Sequence, residues 1–147
     1  MATVLFMGVA PQDPNIDLPP NVSAQALDVG LNQSVEDMKN AGYQVVLFLP
    51  PIMEGINELE KELQKNKYDL VLVGVSAFPS REKRAKRISE HVLTHGLLQL
   101  SIRIVPKHTP YFEGIVNTVL KYNPSQRFAF NASLEGTLEA AQRALPL

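Results

Sequence analysis

Continuous apolar runs alternate along the chain with stretches in which apolar residues recur every three or four positions. The runs Thr3–Val9 and Tyr68–Val75 are nearly unbroken, which is typical of strands that helices cover on both faces. We therefore predict that these two strands lie inside a parallel sheet. Further strands are predicted at Tyr43–Leu49, Leu97–Val105 and Arg127–Phe130.

Stretches with a helical repeat fill the gaps between these runs. Ser23–Asn40 carries one apolar stripe, and Gly42 suits the turn that ends a helix. Asn21 or Ser23 is placed to cap the start of this helix. Four more helices are predicted: around the stripe from Ile52 to Leu63, from Arg81 to about Thr94, from Thr109–Pro110 onward, and from the cap Ser133 to Leu145.

The predicted elements alternate between strand and helix, five times over. Parallel strands joined by right-handed crossovers then give an α/β fold in which a doubly wound, five-stranded sheet lies between two layers of helices. Because the first and third strands are richest in continuous apolar residues, we predict the flavodoxin-like strand order 2-1-3-4-5. A chain of 147 residues is expected to form a single domain, residues 1–147.

The composition excludes several classes of function. There is no cysteine, which excludes disulfides, thiol catalysis and thiolate metal sites and fits a reducing compartment. The 14 basic and 15 acidic residues give a formal net charge of −1, which does not favour nucleic acid as a partner. No apolar run reaches the roughly 18 to 20 residues of a membrane span, and the apolar N-terminus lacks the basic segment of a signal peptide. A cytoplasmic protein without a membrane partner is therefore expected.

The run Arg81–Arg87 is unusually basic, with five cationic residues among its seven. Lysine and arginine attract phosphate groups, so the run is a candidate for binding nucleic acid. However, Glu82 and Glu90 accompany it and no aromatic residues interleave with it. We interpret the run as the solvated face of a helix and keep nucleic-acid binding as the weaker alternative.

Candidate chemistry is expected at the carboxyl ends of the strands, where a doubly wound sheet binds its ligands. The residues at this edge are Gly8, Ala10, Gln12 and Asp13 after the first strand, Ser76 after the third, Lys107 and His108 after the fourth, and Asn131 after the fifth. Asp17 would reach the edge if the proline-rich loop Ala10–Val22 folds back as a lid. A purely structural alternative remains, because helix starts also collect polar residues as caps.

The motifs of the common cofactors are absent from the sequence. No G-x-G-x-x-G or Walker A sequence follows a strand, and the segment APQDPN has few free amides for the phosphate of a flavin mononucleotide. The serine of GVSAF lacks the second glycine of a hydrolase elbow. His91 and His95 have a spacing that can bind metal, but no third ligand is evident. We therefore predict neither a cofactor nor a metal.

Two phrases, AGYQVV before the second strand and YDLVLV in the third, are similar to sequences of the bacterial response-regulator receiver family. The order of elements resembles that family, and the wider flavodoxin-like architecture, over essentially the whole chain. The resemblance implies an aspartate phosphoacceptor at the end of the third strand and acidic residues after the first. Here the third strand ends Gly74-Val75-Ser76 and the first ends Gly8-Val9-Ala10. The resemblance therefore concerns the fold and contradicts phosphoryl relay.

Two functions follow from these patterns. The first is a small enzyme or binding protein for a polar, anionic metabolite at the carboxyl edge. In it Lys107 binds the anion, and His108 or Asp13 transfers a proton as the catalytic residue. Gln12, Ser76 and Asn131 contribute hydrogen bonds to the ligand. The alternative is a receiver-like, non-catalytic interaction module that forms a homodimer through the alternating segment Leu97–Val105.

Overall fold

The computed structural model describes residues 1–16, 18, 22–74, 109–131 and 134–147. The strands in these ranges are β1 (Thr3–Met7), β2 (Gln44–Phe48), β3 (Leu70–Gly74) and β4 (Arg127–Asn131). The helices are α1 (Ala24–Asn40), α2 (Gly55–Lys65), α3 (Thr109–Tyr122) and α4 (Thr137–Ala144). The helix predicted from Arg81 to about Thr94 and the strand predicted at Leu97–Val105 lie outside the described residues.

The four described strands form one parallel sheet in the order β2-β1-β3-β4. Its register places Met7 of β1 opposite Phe48 of β2 on one side and opposite Val73 of β3 on the other. Gly74 at the end of β3 lies opposite Asn131 at the end of β4. The α/β class and the parallel order of the first three strands are confirmed, and the sheet is compatible with a flavodoxin-like architecture.

The predicted strand order needs a correction at one position. The order 2-1-3-4-5 places Leu97–Val105 beside the third strand and Arg127–Phe130 at the outer edge. Instead β4, which is the predicted fifth strand, hydrogen-bonds directly to β3, so no strand lies between them. The pairing packs the half-buried side chains of Phe128 and Phe130 against the cluster that contains Val71 and Val73. Neighbours in sequence pair only on average, and here side-chain packing selects a strand from later in the chain.

β1 is shorter than predicted, since it ends at Met7 rather than at Val9. Its neighbour β2 ends at Phe48, and the next residues of that strand's connection include Pro50–Pro51. A proline has no backbone N–H to donate to a neighbouring strand. The ladder between β1 and β2 therefore stops before the apolar run of β1 does.

Helices cover both faces of the sheet, which explains why β1 and β3 are apolar without alternation. α1 and α4 pack on the face that carries Phe6 and Leu72. α2 and α3 pack on the opposite face, against Met7 and Val73. All four of these side chains are at most 3% exposed.

The ends of α1 follow the sequence prediction. The Ser23 hydroxyl oxygen caps the helix by accepting a hydrogen bond from the Ala26 amide at 3.0 Å. Gly42 in the following turn has a φ of 99°, a left-handed conformation that favours glycine. The C-terminal residues pack beside this turn, where the Tyr43 hydroxyl donates to the Leu145 carbonyl oxygen at 2.6 Å.

α4 begins later than predicted, at Thr137 rather than after Ser133, which lies outside the described residues. The preceding turn is closed by a hydrogen bond from the Thr137 amide to the Leu134 carbonyl oxygen at 3.2 Å. That carbonyl also lies 3.0 Å from the Ser34 hydroxyl of α1. The Leu134 side chain packs so closely on α1 that a Cβ on Gly30 would lie 2.6 Å from its Cδ1 atom. The residues around Leu134, where the sequence predicts the first helical turn, thus form a non-helical turn that packs on α1.

None of the helices in the described ranges is long and apolar enough to cross a membrane.

Candidate functional site at the carboxyl edge of the sheet

Gly8, Gly74 and Asn131 lie side by side at the carboxyl edge of the sheet. Gly74 is paired with Asn131 in the register of β3 and β4. Because Met7 is paired with Val73, Gly8 follows at the position beside Gly74. Side chains alternate along a strand, so these three positions belong to the face that α1 and α4 cover. Two neighbouring positions of this row carry no side chain.

The gap between β1 and β3 is the point at which the chain reverses its direction across the sheet. β2 lies on one side of β1, and β3 lies on the other. α1 and α2, which make the two connections, lie on opposite faces. Doubly wound sheets bind their ligands at the carboxyl end of such a switch point. Gly8 and Gly74 lie at that end and are partly exposed, although the preceding four residues of each strand are buried.

Neither backbone conformation nor packing requires a glycine at position 74. Among the described glycines, Gly42 has a positive φ and Gly74 does not. A Cβ on Gly74 would lie 3.4 Å from Cε2 of Phe6 and 3.5 Å from the Met7 carbonyl oxygen, which are ordinary van der Waals distances. A glycine at a strand end costs stability relative to alanine and often marks a close approach of another group to the backbone. A methyl group would therefore fit at position 74, and the glycine there has no structural requirement among these contacts.

Asn131 is buried at the end of β4 and joins that strand to α4. Its exposed fraction is 1%, and its Nδ2 donates to the Thr137 hydroxyl oxygen at 2.7 Å. Its Oδ1 would lie 3.7 Å from a Cβ on Gly74, so the Asn131 amide lies directly beside the two glycines. The geometry gives Asn131 a structural partner, and its predicted role in orienting a ligand stays a prediction.

Asp13 is a buried carboxylate in the connection between β1 and α1, with an exposed fraction of 8%. Its Oδ1 accepts from the Asn15 amide at 2.8 Å and from Asn15 Nδ2 at 3.2 Å. Its Oδ2 accepts from the Ile52 amide at 2.9 Å. These bonds join the loop that follows β1 to the loop that follows β2. The predicted role of Asp13 in proton transfer stays a prediction, and the observed contacts hold the backbone in place.

The Ile52 amide needs this partner because of the prolines before it. Pro50 and Pro51 have no N–H, so Ile52 carries the first backbone donor after Leu49. The hydrogen bond to Asp13 is buried, and an unpaired donor there would cost about 1 to 3 kcal/mol. The Asp13 carboxylate thus accepts a hydrogen bond from the first N–H group that follows the two prolines in the connection to α2.

Gln12 anchors the same loop on the other side of the sheet. Its Nε2 donates to the Asp28 carboxylate of α1, in an exposed position. The loop Ala10–Ile16 is thereby fastened to α1 on one face and to the connection before α2 on the other. These two contacts place the loop at the carboxyl edge, between α1 and the start of the connection to α2.

The cationic side chains of the described ranges lie away from the carboxyl edge of the sheet. Within the described ranges, each lysine and arginine lies in the C-terminal half of a helix or in the chain that enters a strand; these are Lys39, Lys61, Lys65, Lys67, Lys121, Arg127 and Arg143. All four helices begin at the carboxyl edge, where their unpaired N–H groups and helix dipoles favour negative charge. Glu54 and Glu58 at the start of α2 and Glu139 at the start of α4 also lie at this edge, so an anion there would meet backbone donors and acidic side chains together.

Three predicted site residues, Ser76, Lys107 and His108, lie outside the described residues, as do Asp17, His91 and His95. Of the predicted set, the structure thus positions Gln12, Asp13 and Asn131 at the carboxyl edge. In the part of the chain that the structure describes, no group of three or more histidine, aspartate and glutamate side chains is arranged to hold a metal ion.

The sequence prediction misses two partners at this edge, Thr137 and the amide of Ile52. Thr137 is not predicted as a partner of Asn131, because the sequence pattern places the start of the last helix at Ser133. The amide of Ile52 has a sequence signal in the two prolines before it, which leave one donor at the start of a connection.

Comparison of the chain with protein-family models, with curated proteins and with solved structures finds no match.

Proposed function

We propose that this protein binds a small polar metabolite in the crevice between β1 and β3, at the carboxyl edge of its sheet. The observation that carries the proposal is the pair Gly8 and Gly74, neighbours in register at the switch point of a doubly wound sheet. Both are partly exposed, and Gly74 has room for a side chain that it lacks. A ligand group would approach the backbone at Gly74 without meeting a Cβ, and at Gly8 it would displace the Leu49 side chain, whose Cδ2 lies 3.1 Å from the place of a Cβ.

An anionic group on the ligand would depend on the helix N-termini and on Lys107, because the described cations lie away from this edge. α1, α2, α3 and α4 all begin there, and helix N-termini favour negative charge through the dipole and the first N–H groups. In this proposal Lys107 adds a cationic contact and His108 carries a proton, as the sequence predicts for the end of the fourth strand. Ser76 and Asn131 contribute hydrogen bonds to the ligand.

Gln12 and Asp13 take different parts in the proposed site. The bonds of Asp13 to Asn15 and Ile52 support a role in shaping the wall of the crevice. Gln12 is exposed, and release of its contact with Asp28 would turn its amide toward a ligand. The proposal does not depend on a proton transfer by Asp13.

The direct test is native mass spectrometry of the gently purified protein, compared with the same sample after denaturation. We expect a reproducible extra mass in the native sample, or a rise in melting temperature with members of a panel of phosphate- and carboxylate-bearing metabolites. A bare chain mass together with no thermal shift across the panel would contradict the proposal. If that bare mass is a clean dimer, the interaction-module alternative gains the support that the metabolite hypothesis loses.

A further inference from the structure

The connection after β1 and the connection after β2 are joined by one buried carboxylate. Asp13 lies in the first connection, and the Ile52 amide that it accepts from lies in the second, 39 residues later. Within its own loop, the Asp13 amide donates to the Ala10 carbonyl oxygen at 2.9 Å and the Asp13 carbonyl oxygen accepts from Ile16 at 3.3 Å. Asp13 is thus the centre of a compact turn and also the contact of that turn with its neighbour.

We infer that Asp13 is a positioning residue that makes these two connections open and close as one unit. The segments concerned are Ala10–Ile16 and Leu49–Glu54, which we call the paired edge loops. Both are stretches without regular secondary structure, and such segments open locally at much lower free energy than the strands below them. Loss of the carboxylate would leave the Ile52 donor without its buried acceptor and would release the two loops from each other.

The position of the paired edge loops gives this link a consequence for the crevice. Leu49 of the second loop lies beside Gly8, since a Cβ there would be 3.1 Å from the Leu49 Cδ2, and the half-buried Val9 connects Gly8 to the first loop. Opening of the unit would uncover the backbone at Gly8 and Val9, which is the β1 side of the crevice. The coupling of the two loops is independent of the proposed function. Only the idea that this coupling controls ligand entry rests on the proposed function.

Hydrogen exchange tests the coupling without any ligand. In Asp13→Ala we expect both paired edge loops to exchange about tenfold faster or more, as the loss of a charge-assisted hydrogen bond predicts, with no change in the last turn of α1, which frays without breaking the contacts of Asp13. Ser34→Ala is the matched control, because it removes a hydrogen bond between α1 and Leu134 on another part of the fold. Faster exchange in only one loop, or equal acceleration in both variants, would overturn the inference.

If Asp13→Ala does not fold, the unmodified protein still provides the test. The amides of Asn15 and Ile52, which share the Asp13 carboxylate, should then open with the same free energy in exchange measured by NMR. Clearly different opening free energies would contradict a single unit.

The natural absence of cysteine allows a second readout at the crevice itself. A single Val9→Cys thiol should react with iodoacetamide faster in the Asp13→Ala background, and at an unchanged rate in the Ser34→Ala background. An unchanged rate with Asp13→Ala would overturn the inference about the crevice wall. Because no ligand takes part, this result is independent of whether the mass spectrometry finds a bound metabolite.

Discussion

The Oδ2 atom of Asp13 lies 2.9 Å from the backbone nitrogen of Ile52, and through this contact a residue that follows β1 holds the start of the connection to α2. The two prolines before Ile52 leave its N–H as the first backbone donor after Leu49. One carboxylate therefore determines how two neighbouring loops meet at the carboxyl edge of the sheet.

Replacement of Asp13 by asparagine should destabilise the fold even though the size of the side chain is conserved. The amide nitrogen of the new side chain cannot accept from either Asn15 or Ile52, so at least one buried donor loses its partner. We expect Asp13→Asn to lower the free energy of unfolding by about 1 to 3 kcal/mol, measured by urea denaturation. Asp28→Asn, which changes the exposed partner of Gln12, is the control and should stay within about 0.5 kcal/mol of the unmodified protein. Equal stability of Asp13→Asn and Asp28→Asn would contradict the prediction.

Gly74→Ala should separate the stability of the fold from the binding of a ligand. The added methyl group would meet its nearest atoms at 3.4 Å or more, so we expect a melting temperature equal to or slightly above that of the unmodified protein. The retained mass, or the thermal shift caused by the metabolite identified in the panel, should be lost. Gly114→Ala, whose Cβ would lie between helices at 3.0 Å from the Ile56 Cδ1, is the matched control and should keep both signals. Full ligand retention in Gly74→Ala would show that no ligand approaches β3 at this position.

The buried pair of Asn131 and Thr137 should behave as one energetic unit. Its 2.7 Å hydrogen bond joins the end of β4 to the first residue of α4. We expect Asn131→Ala and Thr137→Val each to lower the free energy of unfolding, and the double variant to lose roughly 1 kcal/mol less than the two separate losses together. The exposed pair of Glu139 and Arg143 serves for comparison, with an expected coupling of about 0.3 to 0.5 kcal/mol. Additive losses for Asn131 and Thr137 would rule out such a unit.

Stability should fall at alkaline pH, in part through Tyr68. Burial, together with the hydrogen bond to the Glu62 carboxylate, raises the pKa of Tyr68 well above its ordinary value of 10.0. The folded chain then holds this proton more tightly than the unfolded chain, so the free energy of unfolding decreases as pH rises above the unfolded pKa. In Tyr68→Phe we expect a shallower decrease above about pH 10, measured by urea denaturation. Part of the decrease should remain, because burial also raises the pKa of Tyr43. Identical slopes with and without the Tyr68 hydroxyl would refute this assignment.

The inner strands can be predicted from the sequence because burial on both faces leaves a direct mark. Val4 to Met7 and Leu70 to Val73 are buried throughout, and both runs are visible as unbroken apolar residues. The ends of the strands are harder to predict. The sequence pattern includes Tyr68 in the strand because it is next to the apolar run, yet its ring is buried before β3 begins and its hydroxyl donates to Glu62 in α2.

The place of β4 cannot be predicted from the sequence, because it depends on packing between distant segments. The strand itself, Arg127–Phe130, is confirmed, with one more residue, Asn131, in the structure. Because strands that follow one another in sequence usually pair, the predicted strand Leu97–Val105 is the expected neighbour of β3. The observed register instead aligns Phe128 with Val71 and Phe130 with Val73, a match that only the folded chain displays.

The candidate site is predictable in its location and only partly in its contacts. The carboxyl edge follows from the alternation of strands and helices, and this alternation places Gln12, Asp13 and Asn131 there. The partner of Asp13 is 39 residues away and is a backbone amide, which carries no side-chain signature. Asp13 and Asn131, which the sequence predicts as site residues, thus have hydrogen-bond partners that cannot be identified from the sequence.

β3 and β4 hydrogen-bond side by side, although about fifty residues of chain separate Gly74 from Arg127. Closing this connection costs only about 0.3 kcal/mol more chain entropy than closing the 36 residues between Met7 of β1 and Gln44 of β2. The length of the connection therefore adds little to the cost of pairing β4 with β3. Because the entropy of closure grows only with the logarithm of length, each doubling of the connection adds about 0.6 kcal/mol. Lengthening or shortening it would therefore alter the rate of folding more than the stability of the folded state.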